Sequence, residues 1–218
     1  SDAFTAAITS TKKINSKNEV KKQKSKDIEP QKPVLTALDG TAVFKEGKLI
    51  GFLNQKETHG LLWIRGEMKN EIIPLSCGKD NNGYVSVVIR GIDSQYTPRI
   101  NGKNKEMNVK TYVEAETGEV TCSTFELDSE QIGYLNRQLE DHIKSEANIA
   151  LNKVQKQWEV DVFEFGQEFY REYPLEWKQF AANWKQGVLK DLKVNLQVEA
   201  NLARYGLRKN PILTKESR

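Results

Sequence analysis

The chain has 218 residues, a mean hydropathy of -0.65, 38% hydrophobic and 29% charged side chains, and a formal charge of +3. That length suits one large domain or a domain with an appendage, and four Trp, seven Tyr and eight Phe supply enough core-forming mass to exclude wholesale disorder. No stretch approaches the roughly 20 apolar residues of a membrane span, no signal or transit pattern opens the chain, and two Cys with two His leave little for a disulfide framework or a metal cluster.

Phe4, Ala6 and Ile8 alternate with Thr5 and Ala7, the period of a strand. Residues 11–33 then hold eight Lys against Glu19, Asp27 and Glu29. This is an excess of five positive charges, so the remainder of the chain is near -2. The large apolar groups of this tract are Ile14, Val20 and Ile28, too few to offset an ordering cost of about 1 to 2 kcal/mol per residue. It reads as a disordered Lys-rich linker ended by Pro30 and Pro33. Clustered Lys attracts phosphate, but the tract has no Arg and no aromatic ring for stacking on bases, so a solvated loop is the favoured reading over a nucleic-acid binder. The organisation expected is a terminal strand over 1–10 left from a preceding domain, the linker over 11–33, and an α+β domain over 34–218.

Within that domain, residues 41–44 and 49–53 flank a Gly47 turn as a β-hairpin. Asn54 and Glu57 have the spacing of a capping box, opening a helix that turns Leu61, Leu62 and Trp63 or Ile64 inward. Residues 72–77 and 84–89 predict a second hairpin around the cluster 78–83, with Pro74 marking an edge strand. Residues 96–100 and 109–125 predict a third around Asn101-Gly102 and its Lys-rich extension, with a bulge or bend at Thr117-Gly118 and Cys122 facing inward. Asp128 and Gln131 then cap a long helix carrying Ile132, Leu135, Leu139, Ile143, Ala147, Ala150, Val154 and Trp158 over about seven turns. A second box, Asp161 with Glu164, opens a helix with Val162, Phe165, Phe169 and Tyr173, and Pro174 opens another with Trp177, Phe180, Ala181 and Trp184. Val194, Leu196, Val198, Ala200 and Leu202 alternate with polar residues as a half-buried strand of an antiparallel sheet, which if continued puts Arg204 on its buried side. The fold class is α+β, an antiparallel β-sheet with a long helix and several shorter helices packed on it.

Chemistry is sparse. Glu164, Glu168 and Glu172 recur every four residues and could pair as hydrolytic carboxylates, but a solvated polar stripe beside Arg171 is the favoured reading. Cys77 or Cys122 with His59 could form a thiol and base, but no orienting group or Gly-rich oxyanion loop accompanies them. Cys77 and Cys122 could instead form one disulfide in an exported protein. His142 beside Leu139 and Ile143 reads as a packed side chain on the helix margin. No phosphate loop or dinucleotide fingerprint is present, and no catalytic residue, cofactor or metal is assigned.

Gly40-Thr41-Ala42-Val43-Phe44-Lys45, Gly51-Phe52-Leu53-Asn54 and the run Glu57-Thr58-His59-Gly60-Leu61-Leu62-Trp63-Ile64-Arg65-Gly66 resemble the C-subunit lipoproteins of spore germination nutrient receptors, the Ger(x)C family. So do Tyr84-Val85-Ser86-Val87, Thr97-Pro98-Arg99-Ile100, Glu114-Ala115 with Gly118-Glu119-Val120, Val160-Asp161-Val162-Phe163, Gly166 with Phe169 to Pro174 and Trp177, and Arg204 with Gly206-Leu207. They fall in the family's order over about residues 34 to 210. His59 departs from the family's usual Arg and Tyr170 from its frequent His.

The resemblance implies a non-enzymatic receptor subunit of endospore-forming bacteria, anchored by a lipid (palmitate) on an N-terminal Cys at the outer face of the spore inner membrane. There it would act as an adaptor beside integral membrane A and B subunits, without nucleic acid. It implies that residues 34–218 are the C-terminal domain, the front part of the protein lying upstream. The candidate contact residues are Trp63, Tyr173, Trp177 and Arg204, for each of which core packing is the favoured alternative. The competing readings are a hydrolase of the cell wall or of nucleotides and binding of nucleic acid through the Lys tract.

Overall fold

A computed structural model describes residues 3–11, 36–78, 83–122 and 128–203, with residues 3–11 and 36–39 as backbone alone. Two sheets are present. The first has the order β1-β2-β3, from β1 (Ala3–Thr11), β2 (Thr36–Lys45) and β3 (Lys48–Leu53), all antiparallel. The β2–β3 hairpin closes through Glu46 and Gly47, both at positive φ (53° and 76°), the signature of a two-residue turn whose twist matches its strands. The predicted terminal strand is therefore β1, hydrogen-bonded to β2; all but the first residue of the Lys-rich linker lies outside the described residues.

Asn54 and Glu57 form the predicted capping box, with Glu57 N donating to Asn54 Oδ1 at 3.0 Å and Asn54 N to Glu57 Oε2 at 2.8 Å. It opens α1 (Gln55–Arg65), which ends on Gly66 in the left-handed region.

The second sheet has the order β4-β5-β6-β7, from β4 (Ile72–Ser76), β5 (Tyr84–Asn101), β6 (Asn104–Val120) and β7 (Lys193–Ala203). β4 lies at the edge with Pro74 exposed, as its proline requires. The strands predicted over 84–89 and 96–100 are one 18-residue strand. Arg90 is an extra residue accommodated between the pairs Ile89↔Ala115 and Gly91↔Glu114, so the chain bends without leaving the ladder. Its partner, expected over 109–125, runs over 104–120, and residues 123–125 lie outside the described residues. The turn is tight, pairing Asn101 with Asn104, and leaves Lys103 in the turn while Lys105 joins β6. The bulge foreseen at Thr117-Gly118 is present as the shift between Val85↔Val120 and Val87↔Thr117.

β7 corrects a further expectation, for it runs parallel to β6. Alternation assigns the faces of a strand but not its direction. The helical segment between β6 and β7 is long enough for the crossover that parallel pairing needs.

That segment begins with Asp128, whose carboxylate accepts from Gln131 N at 2.8 Å, and runs as α2 (Ser129–Leu151) into a π-helical turn, Asn152–Gln157. α2 guards the rim of the sheet: Ala200 N and Leu202 N of β7 donate to Glu140 and Asn136, and Gln138 donates to the Ser76 carbonyl of β4, satisfying groups that an open edge would leave unpaired. α3 (Phe165–Glu172), α4 (Pro174–Phe180), a 3₁₀ turn (Ala181–Gln186) and α5 (Val188–Asp191) complete it.

Two apolar clusters result. One joins Leu61 and Ile64 of α1 to Ala147, Ala150, Phe165, Phe169 and Trp184. The other sets Leu135, Leu139 and Ile143 of α2 on Val85, Val87, Ile89 and Val113 of the sheet. The opposite face of the sheet is polar, carrying Arg90–Glu116 at 2.7 Å and Lys110–Glu199 at 2.8 Å.

Candidate functional site

Trp63 is 1% exposed and its indole N–H donates to Glu146 at 2.8 Å. It belongs to the interior and offers no surface to a partner, because the helix position that looked like a choice between Trp63 and Ile64 buries both. Arg204 lies outside the described residues.

Tyr173 and Trp177 are half-buried at the α3–α4 junction, which Asp161 organises. The expected Asp161–Glu164 box does not form in that way. Glu164 takes a left-handed conformation (φ 62°) ahead of the helix, and α3 starts at Phe165. The Asp161 carboxylate instead accepts from Phe165 N (3.0 Å), Gly166 N (2.7 Å) and Trp184 Nε1 (3.0 Å). Burial pushes this carboxyl above the usual carboxylate range, while the three hydrogen bonds pull the other way.

Trp184 in turn stands 5.2 Å from Trp177 and 5.6 Å from Phe169, and Trp177 meets Phe180 edge-on at 5.1 Å. A rigid aromatic platform results, and on its outside Tyr170 is 58% and Leu175 72% exposed. Tyr96 joins the platform to α1, its ring edge-on to Phe165 at 5.5 Å and its hydroxyl donating to the Ile64 carbonyl at 2.9 Å.

The candidate hydrolytic groups do not converge. Glu164 precedes α3, Glu168 pairs with Arg171, and Glu172 is exposed. None lines the cleft of about 650 Å³ between the β5–β6 turn and α5, which is bordered by Lys103, Lys105, Glu106, Asn183, Asp191 and Lys193. Cys77 and Cys122 are joined in a disulfide with Cα atoms 6.4 Å apart, so neither is a free thiol to pair with His59. Cys77 is buried and Cys122 half-buried. Among the described residues no group of three His, Cys, Asp or Glu could hold a metal ion, and no helix is long and apolar enough to cross a membrane.

What the sequence reading missed is Glu146. This carboxylate, 6% exposed, stands 3.6 Å from His59 Nδ1 and 3.6 Å from His142 Nε2 besides accepting from Trp63. The i, i+4 spacing of His142 and Glu146 was the available signal; the approach of α1 was not legible.

The model of the family described as spore germination B3/GerAC-like, C-terminal, matches residues 39–206, from β2 past the end of β7. The chain belongs to that family. It is thus a Ger(x)C protein, related to proteins of spore germination. Spore germination protein KC of Bacillus subtilis (strain 168) is 28% identical over 182 residues, covering 83% of this chain and 44% of that protein. Spore germination protein YndF of the same organism is 30% identical over 169 residues, covering 77% and 41%. The Ger(x)C chain described here thus spans less than half the length of these relatives. The crystal structure of the GerBC protein superposes with a TM-score of 0.68 at 15% identity, over 78% of this chain and 52% of that one, and so shares the fold.

Proposed function

We propose that the chain is the C-terminal region of the C subunit of a spore germinant receptor, acting without catalysis as an adaptor that couples the integral membrane A and B subunits. The observation that carries this reading is the family match over residues 39–206, together with relatives named for spore germination. In this reading an N-terminal lipid holds the protein at the outer face of the spore inner membrane. The Cys77–Cys122 disulfide favours such a site, since disulfides persist where thiols are not kept reduced.

An adaptor needs a surface that keeps its shape while a partner moves. The α3–α4 platform suits this, its rings interlocked beneath Tyr170 and Leu175, with Tyr173 and Trp177 as the half-buried anchors. Exposed apolar groups over a packed aromatic base are what protein contacts use. Arg204 remains a candidate contact on the family resemblance alone.

The test is made in spores carrying the full-length protein. Tyr170→Ser with Leu175→Ser alters the platform's exterior and leaves its packed rings in place. The expected result is loss of co-purification with the A and B subunits and slowed nutrient germination, with unchanged circular dichroism of the domain. Normal co-purification and germination would remove the platform from the mechanism. Turnover of peptidoglycan fragments or nucleotides by the purified chain would overturn the adaptor reading.

A further inference from the structure

α1 and α2 cross with their backbones in contact: a Cβ added at Gly60 would lie 2.0 Å from the Glu146 carbonyl oxygen and 2.8 Å from Ala150 Cβ. At this crossing one carboxylate oxygen, Glu146 Oε2, gathers the Trp63 indole N–H at 2.8 Å, His59 Nδ1 at 3.6 Å and His142 Nε2 at 3.6 Å. The chain has two histidines, and both face this oxygen, one from each helix. Side-chain exposure is 17% for His59, 40% for His142 and 8% for Glu146, so the carboxylate is withdrawn from water while the imidazoles still reach it.

The other groups around the crossing are accounted for. Among the described residues no Lys or Arg lies within 4.0 Å of Glu146. Glu57, on the turn of α1 before His59, is held by Asn54 N. From β5 and β6 come the hydroxyls of Ser94 and Thr111, of which Ser94 Oγ donates to the Trp63 carbonyl and shares a 2.9 Å hydrogen bond with Thr111 Oγ1. On the side of α2 toward β7, Glu140 accepts from Ala200 N and Asn136 from Leu202 N. Glu146 therefore depends on the two imidazoles for a countercharge, and a buried carboxylate without one is costly. Imidazole supplies that charge when it carries a second proton, and it is the side chain whose charge changes near neutral pH.

We propose that His59, Glu146 and His142 form a proton-operated clasp between α1 and α2. Proton uptake places a cation beside the buried carboxylate and tightens the crossing; proton loss leaves the carboxylate with the uncharged Trp63 indole N–H as its donor and slackens it. The clasp therefore contributes at acidic pH and fades as the pH rises past neutral. It joins the β2–β3–α1 part of the chain to the α2-covered sheet, so its state sets how firmly the two pack.

The purified chain, with its disulfide intact, is unfolded by heat across the pH range in which imidazole titrates, as wild type, as H59Q/H142Q and as H59R, the last carrying a fixed charge. Near pH 5.5 the wild type should exceed H59Q/H142Q by about 2 to 4 °C in Tm, and the gap should close near pH 8. H59R should keep its advantage over H59Q/H142Q at both ends. Wild-type and H59Q/H142Q profiles running parallel throughout would overturn the clasp. Should the double variant not fold, the comparison of the wild type with H59R decides. The advantage of H59R over the wild type should then widen from pH 5.5 to pH 8; a constant difference overturns it.

Discussion

Asp161 sits beneath the surface with both carboxyl oxygens occupied, holding the first two amides of α3 and the Trp184 indole at once. One side chain thereby fixes where a helix starts and where an aromatic platform rests. Asp161→Ala leaves three N–H donors without their acceptor, and each buried orphan costs about 1 to 3 kcal/mol. Asp161→Asn can keep the acceptor for Gly166 and Trp184 but turns a donor toward Phe165 N. Calorimetric unfolding should therefore show a loss of about 3 kcal/mol or more for Asp161→Ala and about 1 to 3 kcal/mol for Asp161→Asn, which orphans one donor.

The pH dependence has a definite sign. Burial raises the carboxyl in the folded protein, so the native state binds the proton more tightly than the unfolded chain. Wild-type stability relative to Asp161→Asn is then greatest below the unfolded value of about 3.9, and falls as the pH rises through the raised folded value. A relative stability that instead grew with pH would show that the hydrogen bonds dominate the desolvation. From sequence, Asp161 was legible as a capping residue. Its reach past Glu164 to Trp184 was not, because a capping box is a local pattern and the indole arrives from 23 residues further on.

At the scale of elements, helices α1, α2 and α4 follow their caps, prolines and apolar spacing, and the β2–β3 and β5–β6 turns fall at Gly47 and Gly102. The failures share one cause. A bulge can absorb an extra residue without ending a strand, which hid the continuity of β5 through Arg90, and strand direction depends on the route of the connection, which hid the parallel pairing of β7. Neither is written in a window of neighbouring residues.

Two of the helical glycines make the same point testable. Gly60 and Gly133 look alike in sequence, each costing its helix about 1 kcal/mol relative to Ala. A Cβ added at Gly133 would meet Arg137 Nη1 at 3.5 Å, which is ordinary contact. Gly133→Ala should raise stability by about 0.5 to 1 kcal/mol. Gly60→Ala drives its methyl into the α2 backbone and should lower stability by roughly 2 kcal/mol or more despite the better propensity. Equal and favourable effects in a denaturant titration would mean that α1 and α2 do not cross as closely as described.

For the whole molecule, the feature that composition left open is the one that ties the sheet's far end together. Two cysteines could have been a thiol site or a bond, and neither their number nor their strand positions decided it. The register of β4, β5 and β6 brings Cys77 and Cys122 together, past the end of β4 and past the end of β6. They close a loop spanning 45 positions that contains the entire long hairpin. In the chain-entropy account, a loop of that length restricts the unfolded state by about 4 kcal/mol, which for a chain of this size corresponds to roughly 8 to 16 °C in Tm. The C77S/C122S variant should lose stability on that scale, and a reducing agent should lower the wild type toward it while leaving the variant unmoved. The α3–α4 platform belongs to the other apolar cluster, so below the variant's own melting range the fluorescence of Trp177 and Trp184 should stay native. A variant as stable as the wild type would show that the hairpin's strand pairing already constrains the chain, and the bond would then mark the compartment in which the protein folds without adding to its stability.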